Sequence, residues 1–472
     1  MLTYDLSEPK NRPIYERLYH NIREDIKSGK IKAGERLPSK RALGEHLNIS
    51  ITTVENAYEQ LQMEGYIYSK PSSGFFVAEQ ERKKIPAFLE EKQGVQGSAE
   101  AGQEKEETVY DMDFHGNLCS LKLFPITTWT KLMRQVLSDS NIRLLQTVPW
   151  NGLYSLRLAI SDYLRRYRGM EVSPDYIVIG AGTEYLYSRL LQILGSKAII
   201  AYENPGYRRL EKIAARAGNL QLGISIGEKG LIVEELKKSP ANVVHLSPSN
   251  HFPTGMVMPE EERKKLINWA NASMYRFIIE DDYDSEFSYQ KERHQTLFSM
   301  DKNDRVIYMN TFSKSLVPSI RISYMILPKA LYQLYEQSQD FYSCTVSSLE
   351  QMTLALFLSE GYFERHLSRI RNYYQKKRDR FYDALVNSDL KDKVQIQKNA
   401  AGTHLLVRVD TPLTDQEIHE RAEERNVQIK LLSDYSQFPN MSYLHTLVVN
   451  YAGMGNDDIE RAVELIEGLF SE

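Results

Sequence analysis

Cysteine is almost missing from this chain: two residues, Cys119 and Cys344, occur among 472. With no Cys-x-x-Cys pair and no histidine cluster at ligand spacing, neither a disulfide framework nor a structural zinc is encoded, and a reducing cytoplasm is the expected setting. Long apolar runs are missing too. No stretch approaches the roughly 20 apolar residues of a membrane span, and the first residues lack the basic segment and apolar run that direct export, so neither insertion nor secretion is expected. An excess of positive charge is likewise absent, since 59 Lys and Arg stand against 63 Asp and Glu for a formal charge of -4. Any contact with nucleic acid must therefore come from a local surface. No internal repeat with a period of roughly 20 to 50 residues is found. What remains is ordinary globular material, 42% apolar and 26% charged, in a chain long enough for at least two folding units.

Residues 81–107 divide it. The segment ERKKIPAFLEEKQGVQGSAEAGQEKEE is dominated by charge, Gly, Gln and Ala, with one brief apolar patch at Ile85, Phe88 and Leu89. It reads as a mobile linker; the alternative, an exposed acidic helix, is opposed by its glycines and by the missing apolar periodicity. A domain is expected on each side, at 1–80 and 108–472.

The first 80 residues predict three helices and two strands. Pro13 opens a helix on which Ile14, Leu18, Ile22 and Ile26 recur every fourth position until Gly29. Ser39 caps a short second helix carrying Ala42, Leu43 and Leu47. The turn Asn48-Ile49-Ser50 leads to a third, capped by Ser50, with Val54, Ala57, Tyr58 and Leu61 on one face. Tyr66-Ile67-Tyr68 and Phe75-Phe76-Val77, joined by the turn at 70–74, form a hairpin. Two short helices across a tight turn followed by a hairpin make a winged helix-turn-helix. Lys40 and Arg41 stand where they can bind phosphate, and Thr52 and Thr53 where they can reach base edges or backbone, although a solvated surface would look the same.

The string RLPSKRALGEHLNISITTVENAYEQLQMEGYIYSKPSSGFFV resembles the winged-helix DNA-binding domain of the GntR regulator family. The resemblance implies that the helix opening at Ser50 enters the major groove of an operator and that the wing tip, Ser72, Ser73 and Gly74, reaches toward the minor groove. Two basic or amide positions usual in that family hold Ile51 and Glu55 here. Residues 1–80 contain eleven basic and eleven acidic residues, so one module should bind weakly and a dimer reading two half-sites should compensate.

From residue 108 onward short apolar segments alternate with helical patterns, which predicts an α/β body with a mostly parallel sheet and a smaller α+β subdomain at about 346–472. Four polar turns follow apolar strands. Gly180-Ala181-Gly182-Thr183 opens a helix, a setting that suits phosphate but is common. Asp281 and Tyr283 end Ile278-Ile279-Glu280-Asp281-Asp282-Tyr283 on one side of a strand; by themselves these carboxylates could also hold a metal or be solvated. Lys314 in Asn310-Thr311-Phe312-Ser313-Lys314, with Arg321 seven residues on, suits a Schiff base beside a phosphate clamp. Ser247 to Gly255 is the fourth.

Together and in this order, the four turns resemble a fold-type-I pyridoxal 5'-phosphate (PLP) enzyme of the aminotransferase class. Joined to a GntR-type module, and with segments such as NPGYRRL, IIEDDYDSEF and TFSKSLVPSIRISYM, the chain resembles the MocR/GabR type of regulator over nearly its whole length. The resemblance implies a head-to-tail homodimer and a set of roles. Lys314 holds PLP as a Schiff base, Asp281 pairs with the pyridine nitrogen, and Tyr283 bonds the ring hydroxyl with help from Asn250 or His251. Tyr207 stacks on the ring. Gly182 and Thr183 amides, Thr311 and Ser313 hydroxyls and Arg321 hold the phosphate, and Arg209 takes an effector carboxylate. Glu184 stands where relatives often have Gln, which is unfavourable beside a phosphate unless its side chain turns away.

The expected function is a PLP-dependent transcriptional regulator, without a metal, that senses a small amine, an amino acid or PLP itself; the alternative is a working aminotransferase carrying a DNA module. Aminotransferases of this class use a late arginine for the substrate carboxylate, and the two positions available to it here are Val448 and Gly453. Ordinary α-amino acids and γ-aminobutyrate should therefore bind poorly, leaving an amine with another polar group, an acid held by Arg209 alone, or PLP.

Overall fold

The structure, a computed structural model, describes residues 2–4, 13–70, 73–78, 110–114, 121–138, 142–289, 294–397, 402–455 and 457–471. The linker expected at 81–107, Ser72 of the wing tip and Cys119 lie outside them. The chain forms two compact units, Met1–Glu106 and Glu107–Glu472.

The first unit contains α1 (Ile14–Lys27), α2 (Lys40–Leu47), α3 (Ile51–Met63) and the hairpin β1 (Ile67–Lys70) and β2 (Gly74–Val77). Leu18, Ile22, Leu43, Val54, Tyr58 and Leu61 are buried together where the three helices meet. Ile14 is not among them: it is 43% exposed, so the apolar stripe of α1 begins one turn later, at Leu18. Ser39 Oγ accepts from Ala42 N at 3.2 Å and Ser50 Oγ from Thr53 N at 3.1 Å, which caps both helices of the helix-turn-helix. Asn48, left-handed at φ 55°, closes α2 and redirects the chain into α3.

The second unit opens with β3 (Met112–Asp113), α4 (Ile126–Ser138) and α5 (Tyr154–Arg168). Strands and helices then alternate: β4 (Ile177–Gly180), α6 (Thr183–Leu194), β5 (Ile199–Asn204), α7 (Arg208–Arg216), β6 (Leu220–Gly227), β7 (Gly230–Leu231), α8 (Val233–Lys238), β8 (Val243–Leu246), α9 (Glu260–Asn271), β9 (Phe277–Asp281), α10 (Leu297–Met300), β10 (Val306–Thr311), α11 (Phe312–Ser315) and β11 (Ser323–Ile326). They build an eight-stranded sheet in the order β4-β11-β10-β9-β8-β5-β6-β7. The run from β10 to β6 is parallel, whereas β11 lies antiparallel between β10 and β4. Only residues 312–322 separate β10 from β11, too short a stretch for a parallel crossover, so the chain returns beside the strand it has just left.

The remainder contains α12 (Lys329–Gln339), α13 (Ser348–Ser359), α14 (Tyr362–Val386), β12 (Val394–Gln397), β13 (His404–Val409), α15 (Asp415–Glu424), β14 (Val427–Gln428), β15 (Thr446–Asn450) and α16 (Ile459–Phe470). β12, β13 and β15 form an antiparallel sheet. β14 pairs in parallel with β3, and Phe114 is stitched between Gln428 and Asn450 by backbone hydrogen bonds of 2.9 and 3.0 Å. One apolar core takes in Leu156 and Tyr324 together with Leu354, Leu405 and Leu447, so the last part of the chain shares its packing with the large sheet. Among the described residues no helix is long and apolar enough to cross a membrane.

Candidate functional site

Parallel strands leave a crevice at their carboxyl ends, and here β5, β8, β9 and β10 all end at one cavity of about 270 Å³. Thr183, Tyr207, Arg209, Asp281, Tyr283, Thr311, Ser313, Lys314 and Arg321 line it. Nine residues singled out from three of the four turns and from the NPGYRRL segment are thus brought together by the sheet.

Lys314 sits in α11, directly after β10, with its Nζ 5.8 Å from the centre of the Tyr283 ring. Asp281 ends β9; its buried Oδ1 has no hydrogen-bond partner within the protein, and Oδ2 lies 3.6 Å from His245 Nε2, which is also buried without one. Two such atoms facing a cavity are costly unless something else completes them. Burial, with Asp284 and Asp281 nearby, holds the Tyr283 phenol well above its ordinary pKa, so it remains a proton donor. Tyr207 immediately precedes α7 and stands edge-on to Phe252 at 6.1 Å.

The end of the cavity at the start of α6 is shaped by a glycine. Gly182 has φ 95°, and a Cβ there would lie 2.6 Å from Arg321 Nη2, so the guanidinium rests on the bare backbone at the start of α6. Its own amide, expected among the phosphate donors, instead donates to the Gly180 carbonyl at 2.9 Å. The Thr311 hydroxyl accepts from Ser313 N and from Ser323 Oγ, while Ser313 Oγ donates to the Ile320 carbonyl at 2.8 Å, so the two hydroxyls also brace the loop that carries Lys314. Glu184 turns toward the arginines: Oε1 accepts from Arg209 Nη1 at 2.7 Å and Oε2 lies 3.8 Å from Arg321 Nη2.

Asn250 and His251 do not reach the cavity. Asn250 Nδ2 donates to Asp284 Oδ2 at 2.7 Å. His251 is held by Thr254 Oγ1 and the Pro205 carbonyl, and its burial lowers its pKa to about 3. The turn presents Phe252 to the cavity instead. Phe252 in turn meets Tyr435 and His404 of the C-terminal part edge-to-face at 5.0 and 5.5 Å. Sequence reasoning also missed Glu203 and His245, which line the cavity from β5 and β8. A histidine inside the wholly buried strand Val243–Leu246 was the available signal. Burial raises the Glu203 carboxyl to about 8 even though it accepts from Ser247 N at 2.8 Å.

In the first unit both cations singled out at the start of α2 are engaged in ion pairs. Lys40 Nζ lies 2.5 Å from Glu55 Oε1, and Arg41 Nε 3.2 Å from Glu45 Oε1. Thr53 shares a 2.7 Å hydrogen bond with the Ser50 hydroxyl, which leaves Ile51 and Thr52 as the exposed residues opening α3. Ser73 and Gly74 follow β1 at the wing; Ser73 N donates to the Lys70 carbonyl at 3.0 Å, and Gly74 has φ 98°.

A winged helix-turn-helix unit and a fold-type-I aminotransferase body, with a lysine and an aspartate at adjacent strand ends, define a regulator built on an enzyme fold. A family model of bacterial regulatory proteins of the gntR family matches residues 14–77, and one of aminotransferase class I and II matches residues 114–466. The chain is 36% identical over 99% of its length to an uncharacterized HTH-type transcriptional regulator of Bacillus subtilis, YdeL, of which it covers 98%. It is 30% identical over 97% of its length to the probable rhizopine catabolism regulatory protein MocR of Rhizobium meliloti, covering 94% of it. Among solved structures, Pyrococcus horikoshii kynurenine aminotransferase superposes with a TM-score of 0.68 at 23% identity, over 77% of this chain and 91% of that one. The chain belongs to the family of MocR-type HTH transcriptional regulators, in which an aminotransferase-like domain follows a GntR-type DNA-binding domain.

Proposed function

We propose that this regulator carries PLP on Lys314 and that a small molecule bound in the same cavity changes how the winged-helix unit engages DNA. One observation carries the reading: a strand-end lysine, an aspartate with an unpartnered oxygen and an arginine laid on Gly182 converge on a single cavity. When bound there, PLP supplies an electrophilic carbonyl that reacts with primary amines. Asp281 would hold the ring nitrogen protonated, Tyr283 would donate to the ring hydroxyl, and Tyr207 would cover one face of the ring. Arg321, the Thr183 amide and the loop of Thr311 and Ser313 would hold the phosphate at the start of α6. In the cytoplasm, a head-to-tail homodimer would present two winged-helix units to an operator with two half-sites, which offsets the weak binding of each.

The test is direct. Full-length protein loaded with PLP should absorb in the visible range, and borohydride reduction should add the cofactor mass to the peptide containing Lys314. Lys314→Ala should abolish both; persistence of either in that variant would remove the assignment. Sustained turnover of amines with a 2-oxo acid would instead make the chain an aminotransferase that carries a DNA module.

A further inference from the structure

We propose that the molecule sensed in this cavity is a primary amine whose far end is neutral or cationic, and that Glu184 is the residue that selects against a carboxylate there. The inference rests on the cofactor reading above and deepens it.

Among the described residues, three Lys or Arg side chains line the cavity: Lys314, Arg321 and Arg209. The first two serve the cofactor and its phosphate. Arg209 is the remaining candidate for an anionic ligand, and the Glu184 carboxylate already holds it at 2.7 Å while its other oxygen lies 3.8 Å from Arg321. A ligand carboxylate arriving at Arg209 must either displace Glu184 or sit beside a like charge. His245, also part of the wall, has the Asp281 carboxylate 3.6 Å from its Nε2 as its ionic partner.

The C-terminal strand offers no second cation. Val448 packs in an apolar cluster with Leu406 and Leu432, against Tyr435, the residue that meets the cavity wall through Phe252. Gly453 has no side chain. A hydroxyl or ammonium at the far end of the ligand, by contrast, finds in Glu184 an acceptor at the cavity mouth, since both Glu184 and Arg209 are partly exposed there.

A matched four-carbon series isolates the far end: n-butylamine, 4-amino-1-butanol, 1,4-diaminobutane and γ-aminobutyrate, each titrated into the PLP-loaded full-length protein while the cofactor absorbance and the binding heat are followed. Butylamine, with no polar far end, is the reference for each protein. Relative to it, γ-aminobutyrate should bind at least fivefold more weakly than the alcohol or the diamine. Glu184→Gln should narrow that gap at least threefold by improving γ-aminobutyrate, a gain that a merely structural residue would not produce. Equal binding of γ-aminobutyrate and aminobutanol by the wild type would overturn the proposal, as would a Glu184→Gln protein that retains PLP and shows no gain. If PLP is bound but no amine perturbs it, amine sensing falls while the cofactor reading stands. If Lys314 takes up no PLP, both fall together.

Discussion

Glu55 holds the Lys40 ammonium at 2.5 Å, so a carboxylate on the third helix occupies the cation that opens the second. Lys40 also stands over the Phe75 ring at 5.4 Å, which ties the helix-turn-helix to its wing. Glu55→Gln should therefore release a cation toward the DNA backbone. Affinity for duplex should rise across sequences, and the slope of log affinity against log salt should steepen by about 0.9, the increment for one more phosphate contact. Fluorescence anisotropy of full-length protein on labelled duplex measures it; an unchanged slope would show that Lys40 lies out of reach of phosphate.

Ile51, the first residue of α3, is 50% exposed, and α3 carries no Lys or Arg at all. The start of a recognition helix meets base edges, and an apolar side chain there favours the thymine methyl over guanine. Replacing the contacted thymine by deoxyuridine should weaken operator binding by roughly fourfold, the worth of about 0.8 kcal/mol for one buried methyl-sized group. Ile51→Ala should erase the difference between the two bases, and a wild type indifferent to deoxyuridine would place Ile51 away from the groove.

The contact between Gly182 and Arg321 makes the proposed phosphate site sensitive to a single methyl group. Arg321→Ala should cost roughly 1.5–3 kcal/mol of PLP affinity, the loss of a charge-assisted hydrogen bond. Gly182→Ala should weaken PLP in the same direction with the arginine still present, because the new Cβ meets Nη2 at 2.6 Å and the backbone is at φ 95°. Titrating cofactor-free protein with PLP checks both; full affinity in Gly182→Ala would mean that the guanidinium moves aside without consequence.

Glu203 links stability to pH. Folded, its carboxyl titrates near 8 because of burial, against an ordinary 4.5. Between those values the folded state keeps a proton that the unfolded state has released, so stability falls as pH rises, by up to about 1.4 kcal/mol per unit. The buried histidines act in the opposite sense: His251, lowered to about 3, and His366 and His404, each to about 4, lose stability below their ordinary 6.5. From pH 7.5 to 8, where unfolded histidines are about nine-tenths or more neutral, they contribute little. Over that window Glu203→Gln should flatten the pH dependence of the second unit's urea unfolding, and a slope equal to that of the wild type would show that Glu203 is ionised when folded.

Much of this architecture is legible residue by residue. Ser39 and Ser50 announce their helices because a cap is a local device, and Lys314, Asp281 and Thr183 can be found because each follows an apolar strand whose end must face the crevice. The failures share a cause as well. Asn250 and Phe252 lie two residues apart in an irregular turn, where no periodicity says which side chain faces inward. His245 and Glu203 sit within or at the end of strands whose apolar neighbours conceal them. The pairing of Glu184 with Arg209 joins the first turns of α6 and α7, a proximity set by the sheet order and not by any spacing in the sequence. The reversal of β11 depends on the length of a connection whose start only the structure defines.

The parallel pairing of Met112–Asp113 with Val427–Gln428 gives the second unit a mechanical character. The chain that arrives from the winged-helix unit is anchored at its point of entry to the C-terminal part, and Phe114 ties that anchor to Asn450 at the end of β15. The same C-terminal part touches the cavity wall through Tyr435 and His404 on Phe252. The wall of the cavity and the entry of the chain into the second unit are therefore held by one and the same C-terminal part.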